Sequence, residues 1–310
     1  MRIGYFGDGP WADMALERIA QQDDIQVSFI VPRFQSPDTR LKAWAERLGV
    51  PLKIAKNVND KEFVDWVRKQ EVDLLVSMSF DQIVRGPIRD AAPLGFINCH
   101  AGALPFYRGR NTLNWAIING EKRFGVAVHH IDDGIDTGDI ILQKFGEIST
   151  HDDYGSLLTK AEILCADMLV EALGEIGKGS AQRLPQTSIH AVGFYCGRRR
   201  PGDEWIDWSW SSERIHNFIR GITLPGPGAR TLKGGDELAV LRSSLIDDAP
   251  SYIGTCGEVV GIDSEGIVVK TGDTSLRLTT VSETDDRGEL GELKTPKYAI
   301  GLRLKNAPVY

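Results

Sequence analysis

Asn98 and His100 stand two apart in the run GFINCH. On an extended strand their side chains leave the same face, roughly 6.6 Å apart along the chain, and Cys99 points the other way. A carboxamide and an imidazole at the carboxyl end of a sheet strand can polarise a carbonyl and move a proton. Read blandly, they are a polar strand end with satisfied side chains. Two nearby stretches add to them. Ala101–Thr112 (AGALPFYRGRNT) sets Gly, Pro and two arginines directly after the histidine and reads as a mobile loop over a site. Asp132–Asp139 (DDGIDTGD) is a turn with four acids and two glycines. Alone it is a solvated hairpin turn. Acids there can take a cation, but the spacing lacks the EF-hand pattern and its distal Glu, so no metal is expected. His129 and His130 face opposite ways on a strand and do not easily share an ion, so one belongs to the core and one to a site wall. The cysteines (Cys99, Cys165, Cys196, Cys256) are scattered without C-x-x-C and read as cytoplasmic thiols, not as a zinc site or disulfide framework.

Three further groups carry weaker signals. Gly7–Ala12 (GDGPWA) fits the looser dinucleotide pattern G-x-G-x-x-A. The second strand, however, ends in Val31-Pro32-Arg33, with no acid for a ribose, so an NADP-dependent oxidoreductase would have to use Arg33. Arg198–Arg200 is either a solvated charge run or a cationic clamp for a diphosphate. Trp205, Trp208 and Trp210 could stack a base; packing between two domains is the simpler expectation.

These residues need a scaffold. Apolar runs at Arg2–Gly7, Ile25–Val31, Val72–Val76 and Gly95–His100 alternate with helical patterns at Pro10–Ile19, Lys42–Leu48 and Lys61–Lys69. That alternation predicts an α/β fold with a parallel sheet covered by helices, and ligands outside the carboxyl ends of its strands. Phe124–Gly146 then reads as two strands about the acidic turn. A long helix follows, with Thr150 and Asp153 as its capping pair and Leu157, Ala161, Leu164, Met168 and Ala172 in its buried stripe. Beyond a Pro-containing, basic linker, a short helix (Ser211–Ile219) precedes β-type segments separated by turns, which predicts a small antiparallel barrel.

The pattern N-C-H-x(3)-L-P-x-Y-R-G-R-x-x-L-N-W-x-I-x-N-G-E, followed by G-V-x-V-H-x(6)-D-T-G-D-I, resembles the N10-formyltetrahydrofolate-dependent formyltransferases. The resemblance implies a Rossmann-like catalytic domain over 1–182, a linker over 183–209 and an OB-like open barrel over 210–310. It implies a catalytic trio of Asn98, His100 and Asp136. A protonated His100 and Asn98 would donate to the oxyanion, and Asp136 would orient the imidazole. It places the pterin on main-chain groups after the fourth strand, around Gln82, Ile83 and Val84, with Asp132, Asp133, Gly134, Ile135 and Arg110 contributing. Gly9 would border the amino-substrate pocket. The second signature, G-R-R-R-P-G-D-E-W-I-D-W and I-x-N-x-I-R-G-x-x-x-P-x-P-G-A, is most similar to nucleotide-sugar N-formyltransferases, including the formyltransferase domain of the bifunctional UDP-4-amino-4-deoxy-L-arabinose enzyme. On that reading Arg198 and Arg199 hold the diphosphate. Methionyl-tRNA formyltransferases share part of it.

Charge bears on the acceptor. The 310 residues carry a net charge of −7, which argues against a nucleic-acid coat or anionic-lipid docking. Residues 201–310 hold 12 Lys+Arg against 17 Asp+Glu, the wrong sign for a tRNA-binding domain. A nucleotide sugar needs only a few local cations. The expected acceptor is therefore a nucleotide-linked 4-amino-4-deoxy sugar, such as a dideoxyhexose for lipopolysaccharide O-antigen, with methionyl-tRNA as the alternative. The second half of the bifunctional enzyme is not expected at this length. The N-terminus lacks a secretory signal and no stretch is apolar enough to span a membrane, so the expected location is cytoplasmic. A homodimer, if formed, would use the barrel.

Overall fold

A computed structural model describes residues 1–285 and 287–307. The chain begins with β1 (Arg2–Gly7), α1 (Gly9–Ile19), β2 (Gln26–Val31), α2 (Thr39–Leu48), α3 (Lys61–Arg68), β3 (Leu74–Met78), α4 (Gly86–Arg89) and β4 (Phe96–His100). It continues with β5 (Arg108–Gly109), α5 (Thr112–Ile118), β6 (Arg123–His130), β7 (Ile140–Glu147), α6 (Tyr154–Gly177) and, after a short 3-10 turn, β8 (Tyr195–Cys196). The last part comprises α7 (Ser212–Ile222), β9 (Ala229–Lys233), β10 (Asp236–Leu245), β11 (Val259–Ile262), β12 (Ile267–Lys270), β13 (Ser275–Glu283) and β14 (Leu304–Lys305).

Contacts divide these elements into two units. The first comprises 1–112, 123–147 and 159–197; the second takes 113–122, 148–158 and 198–310. The first unit holds a six-stranded sheet in the order β2-β1-β3-β4-β6-β7. Its first four strands are parallel, as a βαβ alternation requires. β6 joins β4 antiparallel after a connection that includes α5, and β7 joins β6 antiparallel because the short acidic turn between them leaves no room for a crossover helix. Local chemistry sets the helix ends. Pro10 opens α1 with Ala12, Ala15, Leu16 and Ile19 buried. Asp38 caps α2 by accepting the Arg40 N–H at 2.8 Å, and Gly49 ends it in the left-handed region. On one face of the sheet Phe6 meets the rings of Phe29, Phe63, Phe80 and Phe96 at centroid distances of 4.9–6.3 Å.

The capping pair expected for α6 is displaced. Asp153 Oδ1 accepts the Ser156 N–H at 2.9 Å and Ser156 Oγ accepts the Asp153 N–H at 3.1 Å, closing the reciprocal box without Thr150. The spacing of three residues is the same; the helix starts three residues later than Thr150 would set it.

The second unit is an open antiparallel sheet of half-barrel form, ordered β11-β12-β13-β10-β9-β14, with α7 against it. Ile215, Phe218, Ile219 and Ile222 of α7 join Leu238, Val240, Leu276 and Leu278 in its core. Trp208, buried there, donates its indole N–H to Thr231 Oγ1 at 3.0 Å, and Trp210 lies edge-on to Phe218. These two tryptophans thus pack inside the second unit, in place of the interdomain role expected of them, because their neighbours in space are α7 and β9. No helix among the described residues is long and apolar enough to cross a membrane.

Candidate active site

β4 delivers Asn98 and His100 to one side of the sheet and Cys99 to the other, where its thiol meets the Cys165 carbonyl of α6 at 3.5 Å. The β6–β7 turn brings Asp136 to the same place. Its Oδ2 lies 3.7 Å from His100 Nδ1 and its Oδ1 lies 3.5 Å from His129 Nε2. Oδ2 also accepts the Gly109 N–H at 2.9 Å. Asn98 Nδ2 meets His129 Nε2 at 3.3 Å, so the amide, two imidazoles and the carboxylate form one chain of contacts.

The hydrogen bonds fix one nitrogen of each ring as a donor. His129 is 2 % exposed and its Nδ1–H donates to the His130 carbonyl at 2.8 Å. Its Nε2 faces both Asn98 Nδ2 at 3.3 Å and Asp136 Oδ1 at 3.5 Å, so the ring links the carboxamide to the carboxylate. His100 Nε2–H donates to the Tyr107 carbonyl at 2.7 Å. Its Nδ1 faces the Asp136 carboxylate at 3.7 Å, and an imidazolium would offer N–H in both directions. Burial alone would raise the Asp136 carboxyl. The His100 and His129 rings and the Gly109 N–H outweigh it and hold the group well below the usual carboxylate range. His130, on the other side of β6, is pushed down to about 4 by burial and by Arg183.

Backbone conformation is part of the site. Tyr107, Asn111 and Asp136 have φ of 52–55°, the left-handed region that costs a non-glycine residue about 1–3 kcal/mol. Gly109, at φ 92°, runs so close to the Cys196 carbonyl that a Cβ would sit 2.6 Å from its oxygen. The loop expected to be mobile is tied down: β5 pairs with β8, and the Arg108 and Arg110 N–H groups donate to Phe194 and Cys196 at 3.2 and 3.1 Å. Those partners come from the expected linker, which therefore contributes to this unit. A Cβ on Gly102 would lie 2.3 Å from both His100 Nε2 and the Tyr107 oxygen, between the two ends of their hydrogen bond. Gly102→Ala is expected to cost about 1–3 kcal/mol of stability and to lower turnover, read by urea unfolding and kcat on the folded protein.

Gln82, Ile83 and Val84 follow β3, not a fourth strand, because the stretch between β2 and β3 adds only helices and a lone bridge, Ile30–Leu52. Gln82 spends its side chain on the Val58 N–H and the Ala55 carbonyl, both at 2.9 Å, and Asn59 ties Ile83 to Arg85. Asp132 Oδ1 accepts the Gly134 N–H at 3.0 Å and the Thr137 hydroxyl, and Asp133 pairs with Arg89 at 2.7 Å. Ile83 and Ile135 are exposed, as is Arg110. Gly9 follows Asp8, whose buried carboxylate accepts the Arg33 and Asp38 N–H groups at 3.1–3.2 Å. Arg33 donates to the Ser79 carbonyl and hydroxyl at 2.8–3.2 Å, so the cation a dinucleotide reading needs is engaged elsewhere. In the second unit Arg198 is exposed; Arg199 is largely buried, pairs with Glu204 at 3.4 Å, and has its guanidinium pushed down by that burial. Sequence reasoning missed the part of His129 in linking Asn98 to Asp136, and missed Gln186 altogether. For His129 the signal was register: antiparallel pairing sets it opposite Asn98, so the two side chains leave the same side of the sheet.

A family model described as formyl transferase matches residues 1–173, and one described as formyl transferase, C-terminal domain, matches residues 199–288. The chain is 31 % identical to a methionyl-tRNA formyltransferase of Halothermothrix orenii over 322 residues, covering 98 % of both proteins. An N-formyltransferase from Helicobacter canadensis, solved with folinic acid and dTDP-3-aminofucose, matches with a TM-score of 0.64 at 20 % identity, covering 89 % of this chain and 98 % of that one. WlaRD, a sugar 3N-formyl transferase solved with dTDP and 5-N-formyl-THF, matches with a TM-score of 0.65 at 21 % identity, covering 90 % and 97 %. At such identities the two structures speak for the fold.

Proposed function

The chain belongs to the formyl transferase family, and from that premise we propose that it carries the formyl group of N10-formyltetrahydrofolate to the amine of a nucleotide-linked 4-amino-4-deoxy sugar. The observation that carries the chemistry is the convergence of Asn98, His100 and Asp136 in one largely buried cluster. The uncharged amine attacks the formyl carbon, and the carbonyl oxygen becomes an oxyanion. Asn98 and the His100 imidazolium donate to it. The N–H that His100 gives to Tyr107 turns to the oxyanion, since a charged oxygen is the stronger acceptor. The C–N10 bond then breaks, and the amine proton passes through the His100–Asp136 pair to N10. On this reading the folate lies against the 82–84 segment, with Asp132, Asp133, Gly134, Ile135 and Arg110 around it; Gln82 and Asn59 hold that segment in shape.

The acceptor is argued from charge. The acidic balance of residues 201–310 favours a small substrate over a polyanion, and the exposed Arg198 is the cation offered for a diphosphate, whereas Arg199 is engaged by Glu204. Methionyl-tRNA is the second reading, favoured by the names of relatives above 30 % identity. Formyl-labelled N10-formyltetrahydrofolate, offered with UDP-, dTDP- and GDP-linked 4-amino sugars and with methionyl-initiator tRNA, decides between them. Label on a sugar is expected. Label on the tRNA alone would overturn the sugar assignment.

A further inference from the structure

Gln186 lies in the segment that reads as linker, yet it is 3 % exposed and every polar valence of its side chain is used. Nε2 donates to the Asp136 carbonyl at 2.8 Å and the Gly138 carbonyl at 2.9 Å. Oε1 accepts from Arg108 Nε at 3.0 Å and Nη2 at 2.6 Å. A carboxamide has two N–H groups and two lone pairs, and all four are placed. We infer that Gln186 is a positioning residue for formyl transfer: it holds the main chain of Asp136 so that the carboxylate faces His100, and ties that turn to the loop after β4 through Arg108.

Three observations carry this. Asp136 has φ of 53°, a conformation that relaxes unless its peptide groups are held, and Gln186 holds the carbonyl on one side of the turn while Gly138 marks the other. The carboxylate is met from each element around it: by His100 of β4, by His129 of β6 and by the Gly109 N–H of β5, while Gln186 brings no charge. The position of Gln186 is itself fixed, because Leu184 and Ile140 exchange N–H···O bonds of 2.9 Å in both directions just before it. A rotation at 136 would swing the carboxylate away from His100 and leave two carbonyls beside a side chain that no longer reaches them.

The inference rests on the Asp136 role proposed above, so its test carries both variants. Turnover is measured with the amino sugars and methionyl-tRNA of the same panel, and folding by urea unfolding and by folinic acid protection against heat. Gln186→Leu is expected to fold, to bind folinic acid and to keep its KM for the folate, while kcat falls by about a hundredfold, the scale of a misplaced catalytic group. Gln186→Glu still accepts from Arg108 but, ionised, cannot donate to the two carbonyls; it is expected to lose as much, and it decides the matter if the leucine variant does not fold. In an Asp136→Asn background the Gln186→Leu change is expected to cost little more, because it acts through the carboxylate. Wild-type kcat per folded molecule in both Gln186 variants, or the same fold-loss with and without Asp136, would overturn the inference and leave the proposed function standing. Wild-type turnover in Asp136→Asn alone would overturn both.

Discussion

His100→Ala is expected to lower kcat by about 10²–10³-fold, the loss seen when one oxyanion donor is removed, which is about 2.7–4 kcal/mol of barrier. The structure adds a reason for the upper end. The imidazole is both the donor and the group through which the Asp136 carboxylate acts, so the variant removes two functions at once. Binding should survive, because the segments proposed for the folate are held by Gln82, Asn59 and Asp132 with no contribution from the ring. Folinic acid titration of the variant, set beside its kcat, checks this. Unimpaired turnover would remove His100 from the mechanism, and a lost affinity with kcat intact would move it to the binding surface.

Some of this was open to reading and some was not, for reasons that differ by residue. The parallel half of the sheet follows from strand–helix alternation, and the placing of Asn98 and His100 on one face follows from the two-residue period of a strand. The half-barrel follows from turn signals between β-type runs. The antiparallel turn of β6 and β7 also follows, from a connection too short for a helix. Asp136 could be singled out among four acids only by resemblance, since nothing local distinguishes it from Asp132 or Asp133; in space those two are spent on Thr137 and Arg89. Gln186 had no local signal. A glutamine in a polar stretch looks solvated until the chain folds it back on residues some 50 positions earlier. The pairing of the loop after β4 had no local signal either: Gly and Pro announce an irregular path, and the ties to Phe194 and Cys196 come from far along the chain.

Asp136→Asn is expected to be at least as damaging, with turnover down by about 10⁴-fold, the scale on which amidating the acid that orients a catalytic imidazole acts. An amide placed here can keep its oxygen where Oδ2 lies, accepting the Gly109 N–H and facing His100, with its NH₂ towards His129, but the imidazolium at 100 loses its counter-charge. The same substitution should change the pH dependence of stability. In the folded protein the carboxyl is held below its usual range by His100, His129 and Gly109 against the cost of burial, whereas in the unfolded chain it titrates near 4. Its contribution is therefore complete above about pH 5 and drains as pH falls below the unfolded value towards the folded one. Urea unfolding of wild type and variant should show the wild type more stable at neutral pH and the gap narrowing below about pH 4. A gap that stayed constant into acid would mean that the carboxylate is not held by the two histidines. The proton path through the His100–Asp136 pair would then lose its electrostatic basis, even with the atoms where they are.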